Sequence, residues 1–490
     1  MDAQGNNTLN GFVKTLSGPS PPMVDDRALY RKIDVHVIAL LFASYLIQIL
    51  DKTLLNYANI MGLQEDLGLH GQQFSWLTTA FFIAYTVAEF PHGWLLQKFL
   101  PATVLGMNVL VWGILVTTMA ACHDFVSLLV VRILLGAFEA VIIPALILIT
   151  SQWYTKREST LRYGLWHCGS GTGQIIGGLI SFAGQYRSRT ASLSGWRIMF
   201  IAVGLFNIIL ALLILFLLPK TLDTASWLSE AEKTRIREKL TLDQAGTGKK
   251  VFRKTGLIEA LAFDLQVWIL FFMTVLIVIP VGAIMTFSAA LIRGFGYDTK
   301  SAALLIIPCG VVSIIATLGC TYAILIDFPR CFGIIAAMAS TFIGAGLMSF
   351  YHGGKGGVLA GIYLLNFIVA PVALLYALAG VNTRGYTKKV TTNATIMVGY
   401  GIGNIISPQT FLSREAPGFI TAKITIFAAS GAVIVLAAML WLLYGWRNRQ
   451  RIKERQAELD AFHSRRINIL AFEGREEETD MQNKAFVYVY

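Results

Sequence analysis

Four charged side chains lie inside apolar stretches of this sequence. Arg132 and Glu139 interrupt the stretch 125–149, and Asp51 and Lys52 interrupt another stretch nearer the start of the chain. A charged side chain at the centre of a bilayer costs about 2.5–3.5 kcal/mol on insertion scales. Groups retained at that cost indicate a polar path through a membrane, which suits the transfer of protons and ions.

The spacing of Arg132 and Glu139 predicts that both project from one face of a helix. Seven residues bring a helix to within about 20° of two full turns and raise it by about 10 Å. That rise is too long for a direct ion pair, so each group is expected to meet water or a partner from another helix. Gly136, between them on the same face, allows another backbone to approach or leaves a small cavity. An ion pair that merely clamps helices together is the alternative to a proton-linked site.

Asp51 and Lys52 are neighbours, and they therefore point about 100° apart around their helix. We expect the two side chains to have different functions. Asp51 is a candidate for taking up and releasing a proton, whereas Lys52 can neutralise a carboxylate or attract an anionic substrate. The alternative is that both side chains are solvated near the outer end of the polar path.

Uncharged polar residues add to this set in a later apolar segment. Asn393, Asn404 and Gln409 offer hydrogen bonds in a region of low dielectric constant. They suit either substrate contacts or hydrogen bonds between helices. Glu89 is expected at the end of the second apolar segment, where it is a candidate for locking a gate.

The elements that must position these groups are membrane helices. Only 14% of the 490 residues are charged and 55% are hydrophobic, whereas soluble domains carry about 25% charged residues. Mean hydropathy is +0.61. The formal net charge of +11 does not indicate nucleic-acid binding, because the basic residues cluster between apolar segments and in the tails. One polytopic domain in a lipid bilayer is therefore expected.

The sequence contains twelve segments that are long and apolar enough to span a bilayer, which takes about 20 residues. An even number of spans, with Lys and Arg concentrated on one side, predicts that both termini are cytoplasmic. The segments are residues 35–58, 74–92, 101–121, 125–150, 162–184, 198–218, 266–292, 302–325, 330–350, 357–380, 391–412 and 419–445.

This pattern predicts an all-α membrane protein built from two bundles of six helices. In the loop between the bundles, Ser229 followed by Glu232 predicts the start of a short amphipathic helix. The expected organisation is a cytoplasmic N-terminal tail (1–32), a six-helix bundle (33–218), a cytoplasmic middle loop (219–264), a second six-helix bundle (265–445) and a cytoplasmic C-terminal tail (446–490).

A short motif recurs in the fifth segment of each half. Gly171-Thr-Gly173-Gln-Ile-Ile in the first half matches Gly401-Ile-Gly403-Asn-Ile-Ile in the second. The motif also follows a basic loop in both halves. Its recurrence at the same place favours duplication of a six-helix unit, with a substrate site at the interface of the repeats.

The motifs of common enzymes and ATP-driven pumps are missing from the sequence. It contains no GxxxxGK[ST] loop, no HExxH, no GxSxG and no CxxC pair. The five cysteines lie in or beside apolar segments, where a free cysteine behaves as a small hydrophobic residue. We therefore expect neither an enzyme nor a bound cofactor or metal.

Several longer stretches carry a family resemblance over nearly the whole chain. They are LDKTLLNYANIMGLQEDLGL, FSWLTTAFFIAYTVAEFPHGWLLQKFLP, RILLGAFEAVIIPALILITSQWYTKRE, GFGYDTKSAALLIIP, TKKVTTNATIMVGYGIGNIISPQTF and the ending EEETDMQNKAFVYVY. With them the chain resembles the major facilitator superfamily and, within it, the anion:cation symporters of the fungal allantoate permease branch. This resemblance implies the major facilitator fold.

The resemblance also implies roles for the charged residues. The family's acidic–basic pair in the first helix falls on Asp51 and Lys52, and its Arg and acid seven residues apart fall on Arg132 and Glu139. The acidic positions are implicated in proton coupling and the basic ones in substrate binding. Relatives often have Arg where this chain has Lys52, so the bidentate geometry of Arg is missing there.

Two further positions depart from the superfamily pattern. The loop after the second helix normally carries an acid where this chain has Gln97, followed by Lys98, so the gate on that side must use other groups. Asp327 is expected to fill the corresponding place in the second half. Gln174 follows Gly173 where drug antiporters have proline, which weighs against the antiporter branch.

The sequence thus predicts a monomeric, proton-coupled symporter of a small organic anion that works by alternating access in the plasma membrane. Export of a pathway metabolite or drug-like compound is the first alternative. A nutrient sensor with a transporter fold is the second, and the short loops and tails argue against it. The substrate stays open among allantoate, ureidosuccinate, dipeptides, nicotinate, pantothenate, biotin and pathway metabolites.

Overall fold

In the computed structural model, long α-helices dominate the residues that are described. These residues are 25–185, 193–244, 253–351, 353–416, 418–465, 479–483 and 486–490. The rest of the predicted tails and middle loop, residues 1–24, 245–252, 466–478 and 484–485, lies outside the described residues.

The first half of the chain contributes six long helices. The first of them is continued backwards without a break by the helix Asp26–Ile33 and the π-helical turn Asp34–Ile38. The six are α1 (Ala39–Ile60), α2 (Gln73–Lys98), α3 (Pro101–Met119), α4 (Phe125–Glu139 and Ile142–Trp153), α5 (Lys156–His167 and Gly169–Gly184) and α6 (Gly195–Leu217).

The second half repeats this arrangement with six more helices. They are α7 (Leu265–Gly294), α8 (Thr299–Leu305 and Ile307–Leu325), α9 (Arg330–Phe350), α10 (Lys355–Leu365 and Val369–Asn382), α11 (Tyr386–Ile406) and α12 (Ile420–Arg465). α12 continues well beyond the predicted start of the tail at residue 446, because the charged residues that follow are good helix formers.

Helices occupy all twelve predicted positions, and nine spans among the described residues are both long and apolar enough to cross a membrane. The other three positions hold α2, α5 and α11, which are more polar along their length. Each of these three helices packs against the other half of the molecule. That all twelve helices cross the membrane stays a prediction. The polarity of these three helices agrees with their packing against the other half, where polar side chains are not in contact with lipid.

A linker helix, Glu230–Gln244, fixes which ends of the bundle lie together. The predicted cap is confirmed, since the Ser229 backbone N–H donates to Glu232 Oε2 at 2.9 Å and the Glu232 N–H donates to Ser229 Oγ at 3.3 Å. Lys32, near the start of the chain, pairs with Glu232 at 2.6 Å. Thr479, near its end, donates to Glu259 Oε2 at 3.0 Å, just before α7. We call this the terminal side of the bundle and the opposite side the far side.

The first glycine of each repeated motif packs against the opposite half. A Cβ atom on Gly171 of α5 would lie 2.2 Å from the carbonyl oxygen of Gly310 in α8. A Cβ atom on Gly401 of α11 would lie 2.4 Å from Oγ1 of Thr86 in α2. Neither site has room for a side chain, so both helices approach the other half as closely as backbone allows.

The second glycine of each motif packs against the first helix of its own half. The Cβ position of Gly173 is 2.8 Å from the carbonyl oxygen of Leu46 in α1, and that of Gly403 is 2.8 Å from the carbonyl oxygen of Val275 in α7. Equivalent glycines therefore have equivalent neighbours in both halves. This agreement supports the duplication that the motif indicates.

On the far side, polar and aromatic contacts close the two halves against each other. The Asn56 side chain donates to Ser288 Oγ at 2.9 Å and accepts from the Ala289 N–H at 3.2 Å. Gln409 donates to Thr79 Oγ1 at 2.8 Å. An aromatic cluster covers the same side and consists of Phe74, Phe287, Phe411 and Phe419.

We predict that Gly136→Ala destabilises the protein, whereas Gly319→Ala does not. A Cβ atom on Gly136 would lie 2.2 Å from the Phe81 carbonyl oxygen, and nothing lies within 4 Å of the Cβ position of Gly319. Overpacking costs about 1–3 kcal/mol, while alanine at an open helical position gains up to about 1 kcal/mol over glycine. Thermal unfolding in detergent measures both variants. Equal stability of the two would contradict the close packing of α4 on α2.

Candidate functional site

The four charged residues converge inside the first half of the bundle. α1 presents Asp51 and Lys52, which are 0% and 8% exposed. α4 presents Arg132 and Glu139, which are 2% and 0% exposed. The alternative of a wet position at the helix mouth is therefore wrong, because all four side chains are taken out of solvent.

Lys52 and Glu139 form a buried ion pair between α1 and α4. The Lys52 Nζ atom lies 3.1 Å from Glu139 Oε1, and both side chains are almost completely buried. This confirms that Glu139 finds its partner on another helix rather than in Arg132. Breaking such a pair leaves one buried charge uncompensated, which costs about 3–5 kcal/mol.

Asp51 has a different hydrogen-bond partner from this pair. Its Oδ2 accepts a hydrogen bond from the indole N–H of Trp112 in α3 at 3.3 Å. Arg132 is an electrostatic neighbour of both Asp51 and Glu139. One basic residue thus lies near both acids.

Aromatic rings of α2 cover the two cations. The Lys52 Nζ atom lies 4.9 Å from the centre of the Tyr85 ring, and the Arg132 guanidinium lies 4.7 Å from the centre of the Phe81 ring. Ring faces attract cations, the more so when water is excluded. Sequence reasoning missed these residues, although Phe81, Tyr85 and Glu89 recur at every fourth position and so share one helix face.

Two tyrosines of the second half face the same region. Tyr400 of α11 is an electrostatic neighbour of Lys52 and Tyr85. Tyr376 of α10 is one of Glu89. Asn393 is half-buried and lies two turns before Tyr400 on the same face of α11. The charges therefore come from the first half, and the second half adds uncharged polar groups.

Several buried polar atoms in this cluster have no hydrogen-bond partner within the described part of the chain. Buried polar groups in proteins are normally hydrogen-bonded, so such a group of donors and acceptors suits a polar ligand. The atoms are Gln48 Oε1 and Nε2, Asp51 Oδ1, the Tyr85 hydroxyl oxygen, Arg132 Nε and Nη1, and the two Glu139 carboxylate oxygens, which meet Lys52 as an ion pair without hydrogen-bond geometry. We call the residues Gln48, Asp51, Lys52, Tyr85, Arg132 and Glu139 the central cluster.

The other two candidate substrate contacts have partners within the protein. The Asn404 side chain donates to the Tyr400 carbonyl oxygen of its own helix at 3.0 Å. Gln409 lies beyond the end of α11, in the 3₁₀ turn Ser407–Thr410, and bonds to Thr79 across the far side. In this arrangement Gln409 joins the two halves, and Asn404 bonds within its own helix.

The four candidate gating residues are not brought together. Glu89 is half-buried, nine residues before the end of α2, because the helix continues through Pro91 to Lys98. The predicted helix end at residue 92 is therefore wrong, since neighbouring helices allow proline inside a membrane helix. Gln97 and Lys98 are exposed at the terminal side. Asp327 is also exposed, with its carboxylate 3.8 Å from Arg330.

We predict that Lys52→Met destabilises the protein by about 3–5 kcal/mol, the cost of leaving a buried partner uncompensated. The double variant Lys52→Met/Glu139→Gln removes both charges and should recover most of this loss. Lys254→Met, at an exposed lysine, is the matched control and should unfold like the parent. Thermal unfolding of all variants in one detergent provides the comparison. Additive losses in the double variant would exclude a stabilising pair.

The family model of the Major Facilitator Superfamily matches residues 41–408 of the chain. Among curated proteins, the thiamine pathway transporter THI73 of Saccharomyces cerevisiae is 34% identical over 94% of this chain and 86% of its own length. The allantoate permease of the same yeast is 30% identical over 88% of this chain and 81% of its own length.

Solved structures agree on the fold at low sequence identity. A D-xylose–proton symporter superposes with a TM-score of 0.61 at 12% identity, covering 83% of this chain and 97% of its own. A bacterial homologue of the human lysosomal transporter Spinster gives 0.60 at 14% identity, covering 83% and 96%. The match to the family model and the similarity to these relatives show that the chain belongs to the major facilitator superfamily and is a multi-pass membrane transporter, not an enzyme.

Proposed function

We propose that this transporter carries a small organic anion together with a proton, by alternating access. The observation that supports this most directly is the buried Lys52–Glu139 pair beside Arg132. It places a group that can be protonated next to two cations, inside the bundle. A purely structural clamp would need the pair but not the neighbouring guanidinium with unpartnered nitrogens.

Coupling follows from competition for Lys52. The Glu139 carboxylate and a substrate carboxylate are alternative partners for one ammonium group. A proton on Glu139 removes its charge and releases Lys52, which then accepts the substrate carboxylate. One proton and one monoanion together add no net charge to the site. The loaded transporter therefore changes conformation without burying an unpaired ion, which would be costly.

Arg132 is the group that we assign to recognise the carboxylate most specifically. Its guanidinium can bind two carboxylate oxygens side by side, whereas Lys52 acts as a point charge. This division accounts for a lysine at a position where relatives often have arginine. Asp51, bonded to Trp112 and close to Arg132, is the second proton-accepting group. Its carboxylate takes the place of the substrate carboxylate beside Arg132 after the substrate leaves.

The uncharged groups around the cluster favour a substrate with further polar atoms. Gln48, Tyr85, Asn393 and Tyr400 offer donors and acceptors on the sides of the site. The name of the allantoate permease, a relative, points to a carboxylate with amide-like nitrogen groups, and such a molecule fits this set. We therefore place the substrate among small carboxylates that carry polar substituents.

Transport by this cycle requires the far side to open and the terminal side to close. Opening breaks the Asn56–Ser288 and Gln409–Thr79 contacts between the halves. We assign the gate on the terminal side to Glu89, Gln97, Lys98 and Asp327, which approach partners in the other half when that side closes. Uptake through the plasma membrane by a monomer with cytoplasmic termini is the arrangement that we propose.

Export of a metabolite or drug-like compound is the alternative function. It uses the same fold, but it requires the proton and the substrate to exclude each other, as in an antiporter. The central cluster instead makes protonation of Glu139 favourable for anion binding. Substrate accumulation inside cells when the outer medium is acidified distinguishes uptake from export.

We predict that Glu139→Gln abolishes proton-driven uptake. Parent cells should take up a radiolabelled anion, chosen from a panel of small carboxylates, faster as the medium is acidified. The variant should lose concentrative uptake by about tenfold or more, equivalent to 1.4 kcal/mol, and keep exchange of labelled for unlabelled substrate.

The matched control for this prediction is Glu65→Gln, at an exposed glutamate on the far side. It should keep the pH dependence of the parent. If Glu139→Gln still accumulated substrate in response to acidification, Glu139 would not be the coupling group.

We predict that Arg132→Lys raises the KM for the transported anion by about tenfold to a hundredfold. Hydrogen bonds to charged groups contribute about 1.5–3 kcal/mol each, and lysine cannot replace the paired bonds of a guanidinium. Inhibition by the neutral methyl ester of the same substrate should be unchanged. An unchanged KM would show that Arg132 does not bind the carboxylate.

A further inference from the structure

A second buried lysine lies on the terminal side, far from the central cluster. Lys388, near the start of α11, is 0% exposed and contacts three carboxylates. Its Nζ atom lies 2.9 Å from Glu259, 2.8 Å from Asp264 and 2.9 Å from Asp480. Glu259 and Asp264 precede or begin α7, but Asp480 comes from the last residues of the sequence. The cluster thus joins that last segment to the body of the second half.

Two asparagine side chains hold the backbone of the last segment. Asn448 of α12 donates to the Tyr488 carbonyl oxygen at 2.9 Å and accepts from the Tyr488 N–H at 2.9 Å. Asn382, at the end of α10, makes the same pair of bonds with Val489 at 2.7 Å each. Paired donors and acceptors bind an extended peptide in the way that the edge of a sheet does.

The Tyr488 side chain occupies a pocket with aromatic and cationic walls. Its ring stacks on Tyr444 with centres 5.5 Å apart and planes at 11°. The guanidinium groups of Arg447 and Arg451 lie 5.2 and 5.6 Å from its centre. Its hydroxyl group donates to Asp480 Oδ2 at 2.9 Å. The backbone bonds thus give affinity for any extended chain, and this pocket selects an aromatic residue.

The body is electrostatically complementary to this segment. Arg451 donates to the carbonyl oxygens of Asp480, at 2.6 Å, and Met481, at 3.3 Å. Without the segment, three cations, Lys388, Arg447 and Arg451, face the two acids Glu259 and Asp264. The excess positive charge suits a peptide that places a carboxylate here, as Asp480 does. We call the residues that receive the segment the tail socket: Asn382, Lys388, Tyr444, Arg447, Asn448 and Arg451.

The acid of the segment is bound at a cost. Burial raises the pKa of the Asp480 carboxyl above its usual value, although the Lys388 ammonium opposes the shift. The described residues of the segment, 479–483 and 486–490, belong to no helix, and they are held by hydrogen bonds, ion pairs and ring contacts. Such a segment can leave without unfolding the helices that hold it.

We propose that the tail socket is a peptide-binding site whose ligand is the chain's own last segment, with residues 479–483 and 486–490 bound reversibly. The ligand class is an aromatic peptide that carries a carboxylate, with Asp480 on Lys388 and Tyr488 in the pocket. The socket joins the end of α10, the start of α11 and the middle of α12. α11 also packs against α2 of the other half through Gly401 and Thr86, so the bound segment ties a seam helix to the body. This inference does not rest on the proposed function.

Hydrogen exchange on the full-length protein in lipid nanodiscs tests the site. The amides of Tyr488 and Val489 should be protected in the parent, because both donate to asparagine oxygens. Asn448→Ala should speed their exchange by about tenfold or more, a loss of 1.4 kcal/mol. Gln450→Ala, at an exposed amide side chain two residues away, should leave the exchange unchanged. Unaltered protection in Asn448→Ala would overturn the proposed site.

A competition experiment on the same full-length protein tests reversibility. The synthetic peptide TDMQNKAFVYVY (residues 479–490) is added at several times the effective concentration of a tethered segment, which is of the order of millimolar. It should displace the chain's own segment and speed exchange at Tyr488 and Val489. A scrambled peptide and one with Tyr488→Ala should have no effect. If all three peptides left the exchange unchanged, or all changed it alike, the segment would not be an exchangeable ligand of this socket.

Discussion

Charge buried in an apolar bundle is the constraint on which the rest of this structure depends. Lys52 and Glu139 are both removed from water. The free-energy cost of burying each charge is offset by the opposite charge 3.1 Å away. The pair fixes the register of α1 against α4. It also requires α4 to lie close to α2, which Gly136 allows by bringing its backbone against Phe81. Aromatic rings of α2 then cover the cations.

Ion pairs at the terminal side anchor the first helix of each half in a parallel way. Asp34, at the start of the first helix, binds Arg162 of α5 at 3.0 Å. Asp264, 230 residues later, binds Lys388 of α11 at 2.8 Å. The glycine motif recurs at the same offset, so one ancestral unit accounts for both the close helix packing and the anchoring of each first helix. The halves differ in burial, since the Asp34 side chain is 32% exposed whereas Asp264 and Lys388 are fully buried. In the second half, Lys388 also binds Glu259 and Asp480.

The halves differ where they face each other. The first half supplies the charged groups of the central cluster, and the second supplies Tyr376, Tyr400 and Asn393. A transporter of this fold changes the relation between its halves during the cycle. Because Lys52 and Glu139 both lie in the first half, a movement of one half against the other does not by itself pull this ion pair apart.

The sequence by itself determined the fold class, the buried charges and the duplication, because hydropathy, helical spacing and a repeated motif are local properties. It also indicated that Glu139 needs a partner elsewhere and that Asp51 and Lys52 point apart. Only the tertiary structure decided that the partner is Lys52, that Tyr85 and Phe81 cover the cations, and that Asn404 and Gln409 bond within the protein. It likewise decided that Asp480 returns to Lys388. These contacts join residues far apart in the chain, and no local pattern specifies which distant groups a helix bundle will bring together.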